Sequence, residues 1–127
     1  MYDRHMIMEN KGIVNTMYDL TQINRLCADD TALIREILNL FIEEVPKDVR
    51  EMRLSFYEEQ IEGVRKMAHK LKQNVYTFGI VSLQEPISIM ATPQIFEMDP
   101  RQIDSYIQLV EQVLLVIIAD FQKLLAR

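Results

Sequence analysis

The sequence predicts an all-α protein, an antiparallel four-helix bundle with an additional short N-terminal helix. Glycine (3) and proline (4) are scarce among the 127 residues, while straight-chain helix formers abound. Apolar residues recur at spacings of three and four, and no strand-like alternation competes with them. A mass of 15.0 kDa fits one compact domain. We therefore expect a mobile N-terminal lead-in over residues 1–17 and a helical bundle domain over residues 18–127.

The first two helices are predicted from capping residues and apolar spacing. A short helix fits from about Thr21 to Ala28. Residues 29–31, Asp-Asp-Thr, then supply the side-chain oxygens that favour a helix start. The apolar stripe continues beyond Pro46, so we expect one long helix, bent at that proline, to about Glu58. The stripe begins with Ile34, Ile37, Leu38, Phe41, Ile42 and Val45.

The clearest helix is predicted over residues 61–78. Gly79 lies just past its end, where a left-handed cap residue is favoured. The last helix is expected over residues 101–125, after a loop over residues 92–100.

Between them, a shorter helix is expected over residues 82–91, and its start has two interpretations. Ser82 and Glu85 have the spacing of a capping box, whereas Pro86 would fit best in a first turn. Both starts remain open.

Charge and composition argue against several classes of function. The formal net charge of −5 disfavours nucleic-acid binding, which needs a basic face. The longest apolar run, residues 113–119, is far shorter than the roughly 20 residues of a membrane span, and the first ten residues contain no signal-peptide core. A single cysteine, Cys27, cannot form an internal disulfide and is expected to be a small, semi-buried residue. We expect a cytoplasmic monomer without a metal or a cofactor.

His69 is the candidate functional residue because of its phase on the third helix. Successive helical residues are about 100° apart. The apolar seam centres at about 300° from Ile61, whereas His69 lies at about 80°, roughly 140° away from the seam. A lone histidine on a helix is usually a satisfied core residue, but this one points toward water or a partner. The seam consists of Ile61, Val64, Ala68, Leu71, Val75 and Phe78.

Three cations lie within reach of His69 on its own helix. An exposed neutral imidazole is a competent nucleophile at pH 7, and nearby cations would stabilise a phosphoryl group during its transfer. Lys70 points further round the helix and is expected to add only general positive potential. The alternative is a solvated, mixed-charge helix face with an incidental histidine. The residues that share the face of the histidine are Arg65, Lys66, Lys72, Gln73 and Tyr76.

Two segments resemble the histidine-containing phosphotransfer (HPt) domains of two-component phosphorelays. The first is the run Ala68-His69-Lys70-Leu71-Lys72, which is followed by Gly79. The second is an upstream block that looks like the first two helices of the family, from Tyr18-Asp19-Leu20 through Leu40-Phe41-Ile42-Glu43-Glu44-Val45-Pro46. The resemblance covers about residues 18–92, and the C-terminal helix matches by pattern only.

This resemblance implies a phosphorelay intermediate without ATP-dependent kinase activity of its own. HPt domains accept a phosphoryl group from an aspartyl phosphate on the receiver domain of a response regulator or a hybrid sensor histidine kinase, and they pass it to another receiver. By carry-over, His69 accepts the phosphoryl group and Lys72 neutralises its oxygens. Magnesium is expected only in the partner receiver. The hypothetical docking contacts are Arg65, Lys66, Gln73 and Tyr76.

Gln73 departs from the family pattern, which usually has a small residue at this position. A small residue leaves room around the imidazole. The glutamine amide is expected to hydrogen-bond the phosphoryl group or the ring, or else to crowd the partner. The alternative function is therefore an HPt-like adaptor that docks a receiver domain without carrying phosphate.

A self-contained enzyme and an unrelated interaction module are the remaining alternatives. Glycines occur only at positions 12, 63 and 79, so the sequence has no phosphate-cradling loop. Lys66 stands three residues before His69, so the Glu-x-x-His pair of bundle metalloenzymes is also missing. An interaction module unrelated to relays would tolerate the loss of His69.

Overall fold

The part of the chain that the structure describes is almost entirely helical. The computed structural model describes residues 17–127. The expected lead-in lies outside them, except for Met17. Residues 17–127 contain no strand, so the all-α prediction is confirmed. The elements are α1 (Thr21–Leu26), α2 (Thr31–Tyr57), α3 (Ile61–Thr77), α4 (Val81–Met90), a 3₁₀ helix (Pro93–Glu97) and α5 (Pro100–Leu125).

Two of the long helices begin at aspartate caps. The side chain of Asp30 accepts a hydrogen bond from the backbone N–H of Leu33 at 3.2 Å, which starts α2 as the sequence predicts. Asp99 accepts one from the backbone N–H of Arg101 at 2.8 Å. Pro100 then occupies the first position of α5, where a missing N–H costs nothing.

α2 runs through Pro46 as a single helix of 27 residues, which confirms the predicted long helix. A proline in a helix interior removes one backbone hydrogen bond and crowds the carbonyl four residues before it. Buried side chains on both sides of the proline keep α2 packed against the core. Phe41 and Val45 precede it, and Met52 follows it. Burial of that face therefore outweighs the local cost of the proline.

α4 begins differently from both predicted starts. Its N-cap is Ile80, which makes no side-chain capping bond, so Ser82 and Glu85 do not form a capping box. Pro86 is buried in the interior of the helix rather than in its first turn. The proline deprives only the carbonyl of Ser82 of a partner, and because Ser82 is exposed, water can supply one.

The core joins the long helices around Phe121. α2 packs against α3 and α5, and α4 packs against the same two helices. The ring of Phe121 on α5 contacts those of Tyr18, Phe41 and Phe78, with centroid distances of 5.0, 5.1 and 5.7 Å. This aromatic cluster links the segment before α1, the middle of α2 and the end of α3.

Arg53 forms ion pairs between the C-terminal part of α2 and α5. Its guanidinium donates to Glu111 at 3.1 and 2.8 Å and to Asp104 at 2.5 Å. The side chain of Arg53 is 14% exposed, whereas those of Asp104 and Glu111 are 38% and 36% exposed, so solvent still reaches the carboxylates. No helix within residues 17–127 is both long and apolar enough to cross a membrane.

Cys27 is 4% exposed and belongs to the core, so it is more deeply buried than the semi-buried position that the sequence suggested. Burial raises the pKa of its thiol, and the negative charge of Asp30 raises it further. A thiol with a raised pKa has little thiolate at neutral pH and is a poor nucleophile.

Candidate functional site

α3 exposes His69 because the apolar seam of this helix faces the core. The seam residues Ala68 and Leu71 are 0% exposed. His69 follows the first of them by about 100° of helix rotation and is exposed. Its outward orientation therefore follows from the apolar spacing of α3.

A shallow depression surrounds the histidine on the exposed face of α3. It brings together four residues that the sequence had singled out, and it adds Lys70 and Thr77. Arg65 and Lys66 do not line it. The lining residues are His69, Lys70, Lys72, Gln73, Tyr76 and Thr77.

The charge of Arg65 is compensated within the first turns of α3. Its Nε and Nη2 donate to the two carboxylate oxygens of Glu62, each at 2.7 Å. This bidentate pair raises the pKa of Arg65 and lowers that of Glu62, with the hydrogen bonds as the main cause. The sequence signal for this pair is the spacing of three residues between opposite charges, and the expectation of three cations near His69 did not take it into account. Lys66 is exposed, and its charge contributes to the lowered pKa of Glu62.

Lys70 lines the depression, but its ammonium is bound to α2. Its Nζ donates to Oδ1 of Asp48 at 2.9 Å, and this hydrogen bond is the main cause of the raised pKa of Lys70. Asp48 is only 5% exposed, and a buried carboxylate requires a partner. Because the contact joins two helices, no spacing rule within one helix could have predicted it.

Lys72 is the cation of the depression whose charge is not compensated by any described carboxylate. Within residues 17–127 it forms no ion pair, in contrast to Lys70. Its Nζ lies 6.0 Å from the ring centroid of Tyr76, which is near the outer limit of a cation–π contact. The hydroxyl of Tyr76 in turn lies 3.0 Å from Oγ of Ser88 on α4.

A second depression continues the surface toward α1. It shares Tyr76 and Thr77 with the first and is also lined by Arg25 and Leu26. Leu26 is 66% exposed, so it offers an apolar surface beside this depression. The neighbour that extends the surface around His69 is therefore α1, which the sequence could not identify.

The arrangement combines an accessible nucleophile with a cation that is available to an anion. Both belong to α3, so their relative position depends on the helix rather than on a loop. No group of three His, Cys, Asp or Glu side chains that could hold a metal ion occurs within the described residues.

Comparison of the chain with protein-family models, with curated proteins and with solved structures gave no match.

Proposed function

We propose that this chain is a histidine phosphotransfer protein, which relays a phosphoryl group between receiver-domain aspartates through a phosphohistidine at His69. The observation that carries the proposal is the composition of the depression. It holds an exposed imidazole and, three residues further along the same helix, Lys72, which has no carboxylate partner among the described residues. A phosphoryl acceptor needs little beyond such positioning and charge stabilisation.

The helix packing is consistent with an HPt-type antiparallel four-helix bundle. In this proposal α2, α3, α4 and α5 are the four helices and α1 is the additional short one. Each of the four helices packs against two others, so that the contacts form a closed ring. The contacting pairs are α2 with α3, α3 with α4, α4 with α5, and α5 with α2. Short connections between consecutive helices favour antiparallel neighbours.

The transfer step has a simple balance. A ring nitrogen of His69 uses its lone pair to attack the phosphorus of an aspartyl phosphate on the receiver. The new P–N bond forms as the P–O bond to the aspartate breaks, which returns a free carboxylate to the receiver. Lys72 stabilises the negative charge on the phosphoryl oxygens during the transfer. The chain itself needs no ATP, metal or cofactor for this step, and magnesium belongs to the receiver.

The proposed partners are the receiver domains of response regulators and of a hybrid sensor histidine kinase. The docking surface consists of Gln73 and Tyr76 together with Arg25 and Leu26 of α1, which border the two connected depressions. Arg65 and Lys66 lie about one turn nearer the start of α3 and would meet the rim of the partner. We place the relay in the cytoplasm and expect a monomer.

The decisive experiment is the incubation of the protein with a receiver domain that carries radioactive phosphate on its aspartate. We expect acid-labile, base-stable label on the wild-type chain and none on His69→Gln. Wild-type protein without such label, or an equally labelled His69→Gln variant, would contradict the relay.

An adaptor that docks a receiver without carrying phosphate is the second candidate, because Gln73 lies in the same depression as His69. It predicts that the wild-type chain binds the receiver but stays unlabelled. If the amide is what blocks transfer, Gln73→Gly would acquire label while binding persists.

A further inference from the structure

Tyr76 makes two contacts that the proposed transfer step does not use. It is 45% exposed on the face of His69. Its hydroxyl and Oγ of Ser88 on α4 are 3.0 Å apart, and its ring lies 6.0 Å from the ammonium of Lys72. The ring is thus anchored to a neighbouring helix at one end and contacts, along its face, the cation of the site that no described carboxylate compensates.

The direction of the Lys72 side chain needs a cause. Cα–Cβ bonds in a helix tilt toward the N-terminus, so a lysine three residues after His69 leans toward the imidazole by default. The ammonium lies 6.0 Å from the ring centroid of Tyr76, four residues toward the C-terminus, and the same tilt directs that ring back toward Lys72. Since Lys72 forms no ion pair within residues 17–127, the electron-rich face of the ring is the attraction that the structure offers there.

We propose that Tyr76 is a positioning residue whose ring binds the ammonium of Lys72 while the depression is empty. When a phosphoryl group is bonded to the imidazole, the ammonium leaves the ring for the phosphoryl oxygens, because a charged acceptor binds it more strongly than a ring face does. Ser88 keeps the ring in place while this happens. The inference rests on the proposed function of His69.

The holding contact is tested first, in protein that carries no phosphate. With lysine ε-carbons labelled, NMR should show the ε-protons of Lys72 shifted upfield by the ring, relative to those of Lys66. Lys66 is a matched control because it is an exposed lysine of the same helix without a ring contact in the described part of the chain. Tyr76→Leu should abolish the shift, whereas Tyr76→Phe and Ser88→Ala should reduce it. An unshifted Lys72 in the wild type would overturn the proposal.

The release of the Lys72 ammonium from the ring is tested with phosphoramidate. This small donor transfers its phosphoryl group to histidine, and ammonia is the leaving group. On phosphorylation of His69, the upfield shift of Lys72 should disappear. Tyr76→Leu should speed phosphorylation about two- to fivefold, as expected for loss of an exposed cation–π contact. The acceleration should vanish when Lys72→Gln is already present, which a merely structural role of Tyr76 does not predict. The same acceleration in both backgrounds would overturn the proposal.

Failure of this inference and failure of the relay give different results. A His69 that no donor labels refutes the relay and the release step together, whereas the ring-current shift is read without any phosphate. A labelled His69 with an unshifted Lys72 refutes the positioning role alone.

Discussion

Around His69, four cationic side chains lie on one helix, and they differ in what they bind. Arg65 binds Glu62, and Lys70 binds Asp48. Lys66 and Lys72 form no ion pair among the described residues, and only Lys72 lines the depression of the histidine. Counting charges by sequence distance therefore overstates the positive potential at the imidazole. The pattern of ion pairs instead identifies Lys72 as the lysine that can bind a phosphoryl group on His69.

The first prediction compares these two lysines, which lie three residues from His69 in opposite directions. With phosphoramidate as donor, Lys72→Gln should slow the phosphorylation of His69 about tenfold, since it removes one charge-stabilising donor from an exposed site. Lys66→Gln removes the same charge and should change that rate less than about twofold, because Lys66 lies outside the depression. The initial rate of acid-labile labelling measures both. Equal losses would mean that general positive potential is responsible.

Among the helical elements, three helices end in the same way although their sequences differ. In α2, the backbone N–H of Gln60 bonds the carbonyl of Ser55 at 2.8 Å. In α3, the N–H of Ile80 bonds the carbonyl of Val75 at 2.9 Å. These are Schellman motifs, and α1 ends in a third. Each needs a residue with positive φ after the C-cap, and the three residues there are Ala28, Glu59 and Gly79.

The sequence predicted one of these three ends for a physical reason. Glycine adopts positive φ without steric cost, so Gly79 marks the end of α3. Glu59 and Ala28 carry no such signal, since neither residue type favours positive φ. At these two positions the packing of the flanking helices imposes the conformation. The start of α4 lies one residue before the expected Ser82, and neither of the two interpretations left open for it describes the observed start. It follows from the turn at Gly79 and Ile80 rather than from the capping pattern of Ser82.

The second prediction is that substitutions at the two equivalent positions have opposite effects. Glu59→Gly should increase the free energy of unfolding by about 0.5 to 1 kcal/mol, since it relieves a left-handed conformation. Gly79→Ala should decrease it by about 2 kcal/mol or more, because it introduces that strain. It also places a Cβ 2.8 Å from the Cβ of Asp19. The midpoint of urea unfolding measures both effects, and changes of the same sign would contradict this account.

The third prediction concerns the acid stability of α3. The pKa of Glu62 is lowered from its ordinary 4.5 by its bond to Arg65. The ion pair therefore stabilises the fold above about pH 4.5, and this contribution is lost as the pH falls through the lowered pKa. Glu62→Gln and Arg65→Gln should each flatten the decline of unfolding free energy between about pH 5 and pH 3. Urea unfolding at a series of pH values is the measurement. A variant that retains the wild-type slope would show that other carboxylates dominate.

In the molecule as a whole, contacts along one helix were readable from sequence and contacts between helices were not. The outward phase of His69 was predicted from the apolar spacing, and the Glu62–Arg65 pair also has a spacing that favours contact, although Arg65 was expected only as a cation near His69. The bonds from Lys70 to Asp48 and from Tyr76 to Ser88 join different helices. They depend on the register in which those helices pack, which periodicity leaves undetermined. The site was thus predictable as a helix face but not as a set of bound and available charges.

The aromatic cluster leads to the last prediction, because Phe121 contacts residues from three separate parts of the chain. It packs against Tyr18, Phe41 and Phe78, and it is fully buried. Phe121→Leu should lower the free energy of unfolding by about 1 to 2 kcal/mol, since it removes the contacts between the Phe121 ring and the other three rings. Leu115→Ala is the control, because Leu115 lies on the same helix but is 70% exposed. It should change stability by less than about 0.5 kcal/mol.

The same variant tests whether the helices unfold as one unit. The ring NMR signals of Tyr18 report on the cluster, and far-ultraviolet circular dichroism reports on all the helices. If the cluster couples α2, α3 and α5, both signals should shift to lower urea together in Phe121→Leu, with coincident midpoints. Separate midpoints would mean that α5 detaches before α2 and α3 unfold. In that case the face of α3 that carries His69 would be stabilised chiefly by its contacts with α2 and α4, and transfer to His69 should survive partial loss of the aromatic cluster.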